Sequence, residues 1–495
     1  MSDIQISSEK VALSGVAGQI YISLDLETTG FSPEVDGIIE IGAVKFRDGE
    51  VLETFQSLVN PRRPLPQGII SLTGIAPWEL EEAPHLAKVG LALAAFTGRN
   101  PVVGQRIGFD LDFLAAGGIA FPGPAFDTYE MGRFLLPGLS HHSLPMLTGA
   151  FGIDCPSLHR ALPHAQVTGE LFFELLRKAR GLHPLIIAEI MRLTESVRWT
   201  WRGLLLDKIG EDGKGFLPGE KLVLPLEATE AEPAGTEHET RDEGPLDIDG
   251  LAALLEPGGR IARAFSGFES RPEQVRMLRG VAAALEGASP LIVEAGTGTG
   301  KSMAYLVPAA SFSLSRQAPV VISTNTINLQ GQLKDKDIPE LQRALSPEWS
   351  ELRVALLKGR ANYICLRRWD FLREGQGLSA TEIRFLLRSL VWLTETRDGD
   401  RAELSPRGWE AALWSQVSAQ GDCPGENCPQ YERCYLFRAR HRAEKAHLVV
   451  TNHALVLSEI ANKNRVLPEY RHLIVDEAHH LEDEATDQWG FRTTR

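Results

Sequence analysis

The chain is poor in three things. None of its 495 residues falls in an apolar stretch near the roughly 18 residues that a membrane helix needs. It has only five cysteines, too few and too unevenly placed for a disulfide framework. It also lacks basic excess: 51 Lys and Arg stand against 65 Asp and Glu, a net charge of −14, the reverse of the usual nucleic-acid footprint. The first absence predicts no membrane association. The polar start MSDIQISSEK, without the basic and apolar regions of a signal peptide, predicts a cytoplasmic protein. The charge deficit is local. Residues 226–249 carry nine acids against one base (Arg241), net −8, so more than half of the excess sits in one segment and excludes no partner elsewhere.

What is present has room for roughly three domains. Residues 18–60 read as strands: QIYISLDL, IIEIGAVKF, then an Asp48-Gly49 turn into VLETFQSLV. Helical patterns follow near 77–96, 110–117 and 164–180, an α/β unit with a mixed sheet over 18–180. Residues 181–224 read as a helical connector and 225–261 as an acidic linker of disordered composition. From 262 to 495 the apolar runs PLIVEAG, VVISTNT, HLVVTN and HLIVDEAHH alternate with helical patterns, predicting a parallel doubly wound sheet. A cysteine-rich insertion interrupts it at about 359–445. We find no internal repeat.

Asp25 and Glu27, one residue apart at the end of a strand, project to the same side. Two such carboxylates are held together most cheaply by a hard divalent ion, Mg²⁺ or Mn²⁺. A metal pair about 4 Å apart can cleave a phosphodiester. In order follow Ile39-Glu40-Ile41-Gly42-Ala43, Leu72-Thr73-Gly74-Ile75, Phe109-Asp110-Leu111-Asp112-Phe113-Leu114, Phe126-Asp127-Thr128 and His159-Arg160-Ala161-Leu162. This series resembles the DnaQ-like, DEDDh-type 3′–5′ exonucleases with their ribonuclease-H-like fold. The resemblance implies Asp25, Glu27 and Asp110 as metal ligands and His159 as the base that takes a proton from the attacking water. Two positions depart from it. His164 stands where the family has its last Asp, and a neutral imidazole suits Mn²⁺ or a later transition metal better than Mg²⁺. Gln105-Arg106 stands where the family has His-Asn, and Arg106 would compete with a cation if it pointed inward.

Ala295-Gly296-Thr297-Gly298-Thr299-Gly300-Lys301-Ser302 has the pattern of a phosphate loop. Gly296, Gly298 and Gly300 let backbone N–H groups curl around phosphates, Lys301 neutralises them and Ser302 holds Mg²⁺. Asp476 and Glu477, closing the HLIVDEAHH run, are placed for the Mg²⁺ and the hydrolytic water. Phe268-Glu269-Ser270-Arg271-Pro272-Glu273-Gln274, Ser323-Thr324-Asn325-Thr326 and Thr451-Asn452-His453-Ala454-Leu455 complete a resemblance to the DinG-type superfamily-2 helicases, with a RecA-like motor domain. It implies ATP as cofactor, Gln274 as the adenine contact and Glu477 as a catalytic residue. A second motor domain with an arginine finger and an arch insertion belong to that family after this point, and the sequence ends at Arg495. The expectation is therefore a C-terminally truncated chain that binds ATP weakly and does not unwind DNA.

Cys365, Cys423, Cys428 and Cys434 lie between the phosphate loop and Asp476. Their spacing suits Zn²⁺ or an iron–sulfur cluster. The helicase resemblance favours a [4Fe–4S] cluster, because the family carries four cysteines there. The surrounding Lys358, Arg360, Arg367, Arg368, Arg433, Arg438, Arg440 and Arg442 are candidates for phosphate contact with single-stranded or forked DNA. Cys155 stands alone, a small buried residue. The expected whole is a repair helicase coupled to an exonuclease. The alternatives are a catalytically degenerate DNA-binding module and a P-loop ATPase unconnected with nucleic acid.

Overall fold

The computed structural model describes residues 18–156, 159–211, 244–265, 267–287, 289–296, 298–461 and 466–490. The chain divides into two compact units. The first comprises residues 1–227, 373–396 and 402–413, the second residues 228–372, 397–401 and 414–495. Most of the acidic segment, 225–243, and the N-terminal MSDIQISSEK lie outside the described residues.

The first unit is built on a five-stranded sheet in the order β3-β2-β1-β4-β5. β1 (Ile20–Thr28), β2 (Ile38–Arg47) and β3 (Glu50–Leu58) form the antiparallel meander expected from the alternating runs. β4 (Val102–Gly104) and β5 (Ala125–Asp127) add on in parallel, so the sheet is mixed. β1 and β2 are buried on both faces, as near-continuous apolar runs require. One core gathers Ile22, Leu24, Leu26, Val89, Leu93 and Leu114. The long helix Ala161–Arg180 crosses β1 and β2. It can do so because Gly42 and Gly169 have no side chains. A Cβ on Gly42 would overlap the backbone of Ala161 and Leu162, and one on Gly169 would enter the Phe46 ring. Gly42→Ala is therefore expected to cost about 1–3 kcal/mol by overpacking, read as a lower midpoint in thermal unfolding of the whole chain. An unchanged midpoint would contradict this packing.

The helix Ala380–Glu395, distant in sequence, belongs to this same unit and packs on the helices Thr128–Leu135 and Pro184–Leu193. It begins with a capping box in which Ser379 and Glu382 satisfy each other's backbone N–H. The insertion expected at 359–445 is thus split. Its middle joins the first unit, and its cysteines stay in the second.

The second unit carries an all-parallel sheet in the order β7-β8-β6-β9. Its strands are β6 (Val320–Thr324), β7 (Val354–Leu356), β8 (Leu448–Asn452) and β9 (His472–Val475). PLIVEAG, expected as a strand, is not one: residues 290–296 pair with no strand, and Ile292 is 97% exposed. β9 is the edge of the sheet and bonds only to β6, and the apolar run does not extend it. The end of the acidic segment also departs from a linker. Ile248–Ala253 and Arg260–Ala264 are helical, and Ala252, Leu255 and Ile261 lie in the second core. Cys155 is half-buried rather than buried. Among the described residues no helix is long and apolar enough to cross a membrane.

Candidate metal centre and nucleotide site

Asp25 and Glu27 stand on one face of β1, two residues apart in an extended strand. Asp110 enters from the helix Gly108–Ala116, where its Oδ1 accepts the Leu26 N–H at 3.0 Å. That bond ties the third carboxylate to the strand between the first two. His164, in the first turn of the helix Ala161–Arg180, brings its Nδ1 to 3.7 Å from Asp25 Oδ2 and 4.0 Å from Glu27 Oε1. His159 lies just ahead of that helix, its ring centre 5.2 Å from that of His164. All five side chains named from the sequence for this site therefore converge.

Burial sets the electrostatics. It pushes the Asp25 carboxyl up, against the pull of His164, and lifts Asp110 well above the usual range with help from Asp25. Glu27 is raised to about 7, by burial first and the Asp25 charge second. His164 is raised in turn, by the Asp25 carboxylate beside it. A site that makes its own carboxylates hard to ionise is one that a cation would discharge.

Sequence reasoning missed the residue that sets this loop. Glu40 is fully buried on β2 and accepts from Arg160 Nε at 2.9 Å, Arg160 Nη2 at 2.8 Å, Gln56 Nε2 at 2.8 Å and the Ala161 N–H at 3.0 Å. Arg160 is the residue after His159, so this anchor fixes both imidazoles. Its signal was legible: a lone carboxylate inside the apolar run IIEIGAVKF must be paired. Arg106 does not compete for the cation. It has φ 57° and lays its guanidinium on the Tyr129 ring at 4.4 Å, while Gln105 donates to the His142 carbonyl.

The exonuclease resemblance implies a divalent ion at this site. Three carboxylates, Glu27 and Asp110 buried and Asp25 partly so, fit a hard ion. The fourth position does not, because His164 offers a nitrogen where Mg²⁺ takes oxygen.

In the second unit, Gly300 has φ 78° and caps the helix Lys301–Arg316, a backbone conformation that favours glycine. Gln274, 3% exposed, donates to the Gly300 carbonyl at 2.9 Å. With Phe268, Arg271, Gly300 and Ser302 it lines a cavity of about 320 Å³. Gly298 also has positive φ, and the Gly296 carbonyl accepts the Thr299 hydroxyl. Lys301 Nζ sits 2.6 Å from Glu477 Oε1, which holds that carboxyl below its usual range. Asp476 accepts the buried Tyr305 hydroxyl at 3.1 Å, a partner that sequence patterns did not reveal. The loop and the Asp476–Glu477 pair thus meet across one unit. Lys301→Ala is expected to weaken binding of a fluorescent ATP analogue at least about tenfold, one charge-assisted contact being worth about 1.5–3 kcal/mol. Equal affinities would contradict the role of this loop.

Cys365, Cys423, Cys428 and Cys434 line one cavity. Burial pushes the Cys434 thiol up, and Cys365 and Cys423 add to this. Several of the surrounding bases are committed internally. Lys358 is 6% exposed and paired with Asp400, and Arg442 pairs with Asp398 at 2.6 Å. Arg360 and Arg367 donate to the carbonyls of Ala419, Gly421 and Asp422. Arg360 and Arg367 thereby hold the stretch leading to Cys423, and Lys358 is not a surface contact.

The exonuclease family RNase T matches residues 22–172. The 3′–5′ exonuclease DinG of Bacillus subtilis is 31% identical over 482 residues, 96% of this chain and 51% of the relative. The ATP-dependent helicase DinG of Mycobacterium tuberculosis is 43% identical over 243 residues, 46% of this chain and 36% of the relative. The ATP-dependent DNA helicase YoaA of Escherichia coli is 39% identical over 242 residues, 47% and 37% respectively. Among solved structures, exonuclease X in complex with 5′ overhanging duplex DNA has 25% identity and a TM-score of 0.28 over 32% of this chain and 92% of its own. The chain spans about half the length, or less, of these curated relatives. It is a DinG/YoaA-type homologue that carries an N-terminal exonuclease domain.

Proposed function

We propose that the first unit shortens DNA from the 3′ end, and that the second is the ATP-binding half of a helicase motor acting in DNA repair. The observation that carries the nuclease reading is the convergence of Asp25, Glu27 and Asp110, each carried on a strand or helix rather than on a loop. These three carboxylates would hold a divalent ion, which when bound supplies charge for the developing phosphorane oxygens and a more acidic water. Asp25 and Glu27 orient the scissile phosphate's surroundings, and the exposed His159 accepts the proton of the attacking water at an imidazole nitrogen. Arg160, clamped to Glu40, keeps that ring in place.

In the second unit Gly296, Gly298, Gly300, Lys301 and Ser302 cradle the phosphates of ATP, Gln274 reads its base side, and Asp476 and Glu477 face the Mg²⁺ and the water. Lys301 exchanges Glu477 for phosphate when nucleotide enters. The four cysteines hold a [4Fe–4S] cluster rather than zinc. Single-stranded or forked DNA is the proposed partner, and the cytoplasm the proposed location.

His164 favours one second reading, a nuclease fold retained as a DNA-binding module. The two are separated by incubating the chain with 5′-labelled and 3′-labelled single strands, with EDTA and with Mn²⁺. A ladder from the 5′ label, with immediate mononucleotide release from the 3′ label and neither in EDTA, is expected. Retarded but intact DNA in Mn²⁺ would overturn the nuclease reading and leave the binding module.

A further inference from the structure

The two imidazoles of the nuclease site do more than vacate one position for Mg²⁺. Among the described residues, the one trio of metal-capable side chains whose ligand atoms lie within 4.8 Å of one another is Glu27, His159 and His164. Asp25 flanks it, 3.7 Å from His164. The trio comes from two elements held in register. β1 supplies Glu27, and the Ala161–Arg180 helix with its leading residue supplies the imidazoles. The chain between the two rings is pinned by the double hydrogen bond of Arg160 to Glu40 and by the Ala161 N–H bond to the same carboxylate. Closing three such atoms onto one ion at roughly 2.1 Å brings them to about 3.4 Å apart, a movement within side-chain rotation.

Two nitrogens and one carboxylate, with a second carboxylate beside them, form a donor set of the kind found in zinc sites, and one that hard ions avoid. We propose that Glu27, His159 and His164 form a binding site for a single Zn²⁺-class ion, and that its occupation silences the nuclease by taking His159 as a ligand. This rests on the nuclease reading for its consequence and on the geometry alone for the site. The ion competes with Mg²⁺ or Mn²⁺ for Glu27, which both need. It also ties up the imidazole nitrogen that would accept the proton. An Asp at position 164 would leave only one nitrogen in the trio, so zinc sensitivity is a property of this chain's own His164.

The test uses the whole chain, stripped with EDTA, and its His164→Asp and Glu27→Gln variants. Co²⁺ uptake is followed by absorption, and Zn²⁺ affinity by competition with a chromophoric chelator. Ions on the cysteines declare themselves by a thiolate charge-transfer band, whereas an ion on histidine and carboxylate gives only weak ligand-field bands. Wild type is expected to take one equivalent without the thiolate band that both variants bind more weakly. The loss should exceed the roughly 10–100-fold that removing even an outer partner of a metal ligand costs. Zn²⁺ near stoichiometry should then stop Mn²⁺-supported 3′ shortening by wild type but not by His164→Asp. Equal uptake by all three proteins, with shortening that Zn²⁺ does not touch, would overturn the site and leave the nuclease standing. The extra equivalent in wild type, with no shortening in any ion by wild type or His164→Asp, would establish the site and overturn the nuclease.

Discussion

Glu410→Ala is expected to cost the first unit about 3–5 kcal/mol, the usual result of breaking a buried ion pair, and about 10 °C in midpoint for a unit of this size. Glu410 is 4% exposed in its side chain and Arg388 is 7%. They meet at 2.7 Å, and the other Glu410 oxygen accepts Arg133 Nη2 at 2.6 Å. Arg388 also donates to the carbonyls of Pro137 at 3.0 Å and Leu404 at 2.7 Å. Burial depresses its basicity, and the Glu410 carboxylate is what holds the charge in place. Truncation leaves a guanidinium buried beside two carbonyls with no counter-charge. The network fastens the helix Ala380–Glu395 to the unit's N-terminal residues, so the loss should be read as a lower first transition in thermal unfolding. A change below about 1 kcal/mol would mean that water reaches Arg388 and that this packing is wrong.

Glu40→Ala is expected to cost about 3 kcal/mol, the lower end of the same range, because Arg160 keeps 35% of its side chain exposed and can return to water. The pH dependence has a definite sign. Burial alone would raise the Glu40 carboxyl, but the Arg160, Ala161 and Gln56 hydrogen bonds leave it below its usual 4.5. A depressed carboxyl contributes stability that is fully present above its unfolded value and is lost as pH falls through the folded one. The gap between wild type and Glu40→Ala should therefore be wide at pH 7 and close below about 4.5. Urea unfolding at both pH values measures it. The variant should also lose 3′ shortening, because His159 and His164 flank the freed Arg160. A gap that does not change with pH would contradict a paired, ionised Glu40.

Sequence made the first unit's strands legible because β1 to β3 follow one another through short turns, so their alternation needs no distant partner. The five side chains that converge in the first unit were legible as candidates because their motifs come in order. Sequence did not reveal that Glu40 anchors them, although the carboxylate in an apolar run was visible, since its partner lies 120 residues away. PLIVEAG misled for the opposite reason. Its composition is that of a strand, but a strand also needs an edge to bond with, and β9 presents its edge without this run upon it. The division of the cysteine insertion between two units was likewise illegible. A capping box and an apolar face announce the helix Ala380–Glu395 but do not say on which core it packs. Within the basic cluster Lys358 misled, because a count of Lys and Arg cannot tell that it is buried on Asp400.

In the proposed function, phosphodiester cleavage belongs to the Asp25 site and needs nothing from the nucleotide site. The most direct measurement sets wild type, Asp25→Ala and Lys301→Ala side by side on one 5′-labelled single strand with Mn²⁺, each at the same concentration. Matching ladders are expected for wild type and Lys301→Ala. For Asp25→Ala a loss on the order of 10²–10³-fold is expected, the scale for one electrostatic group at a reacting centre. Shortening that survives Asp25→Ala, or that vanishes with Lys301→Ala, would contradict the proposed function.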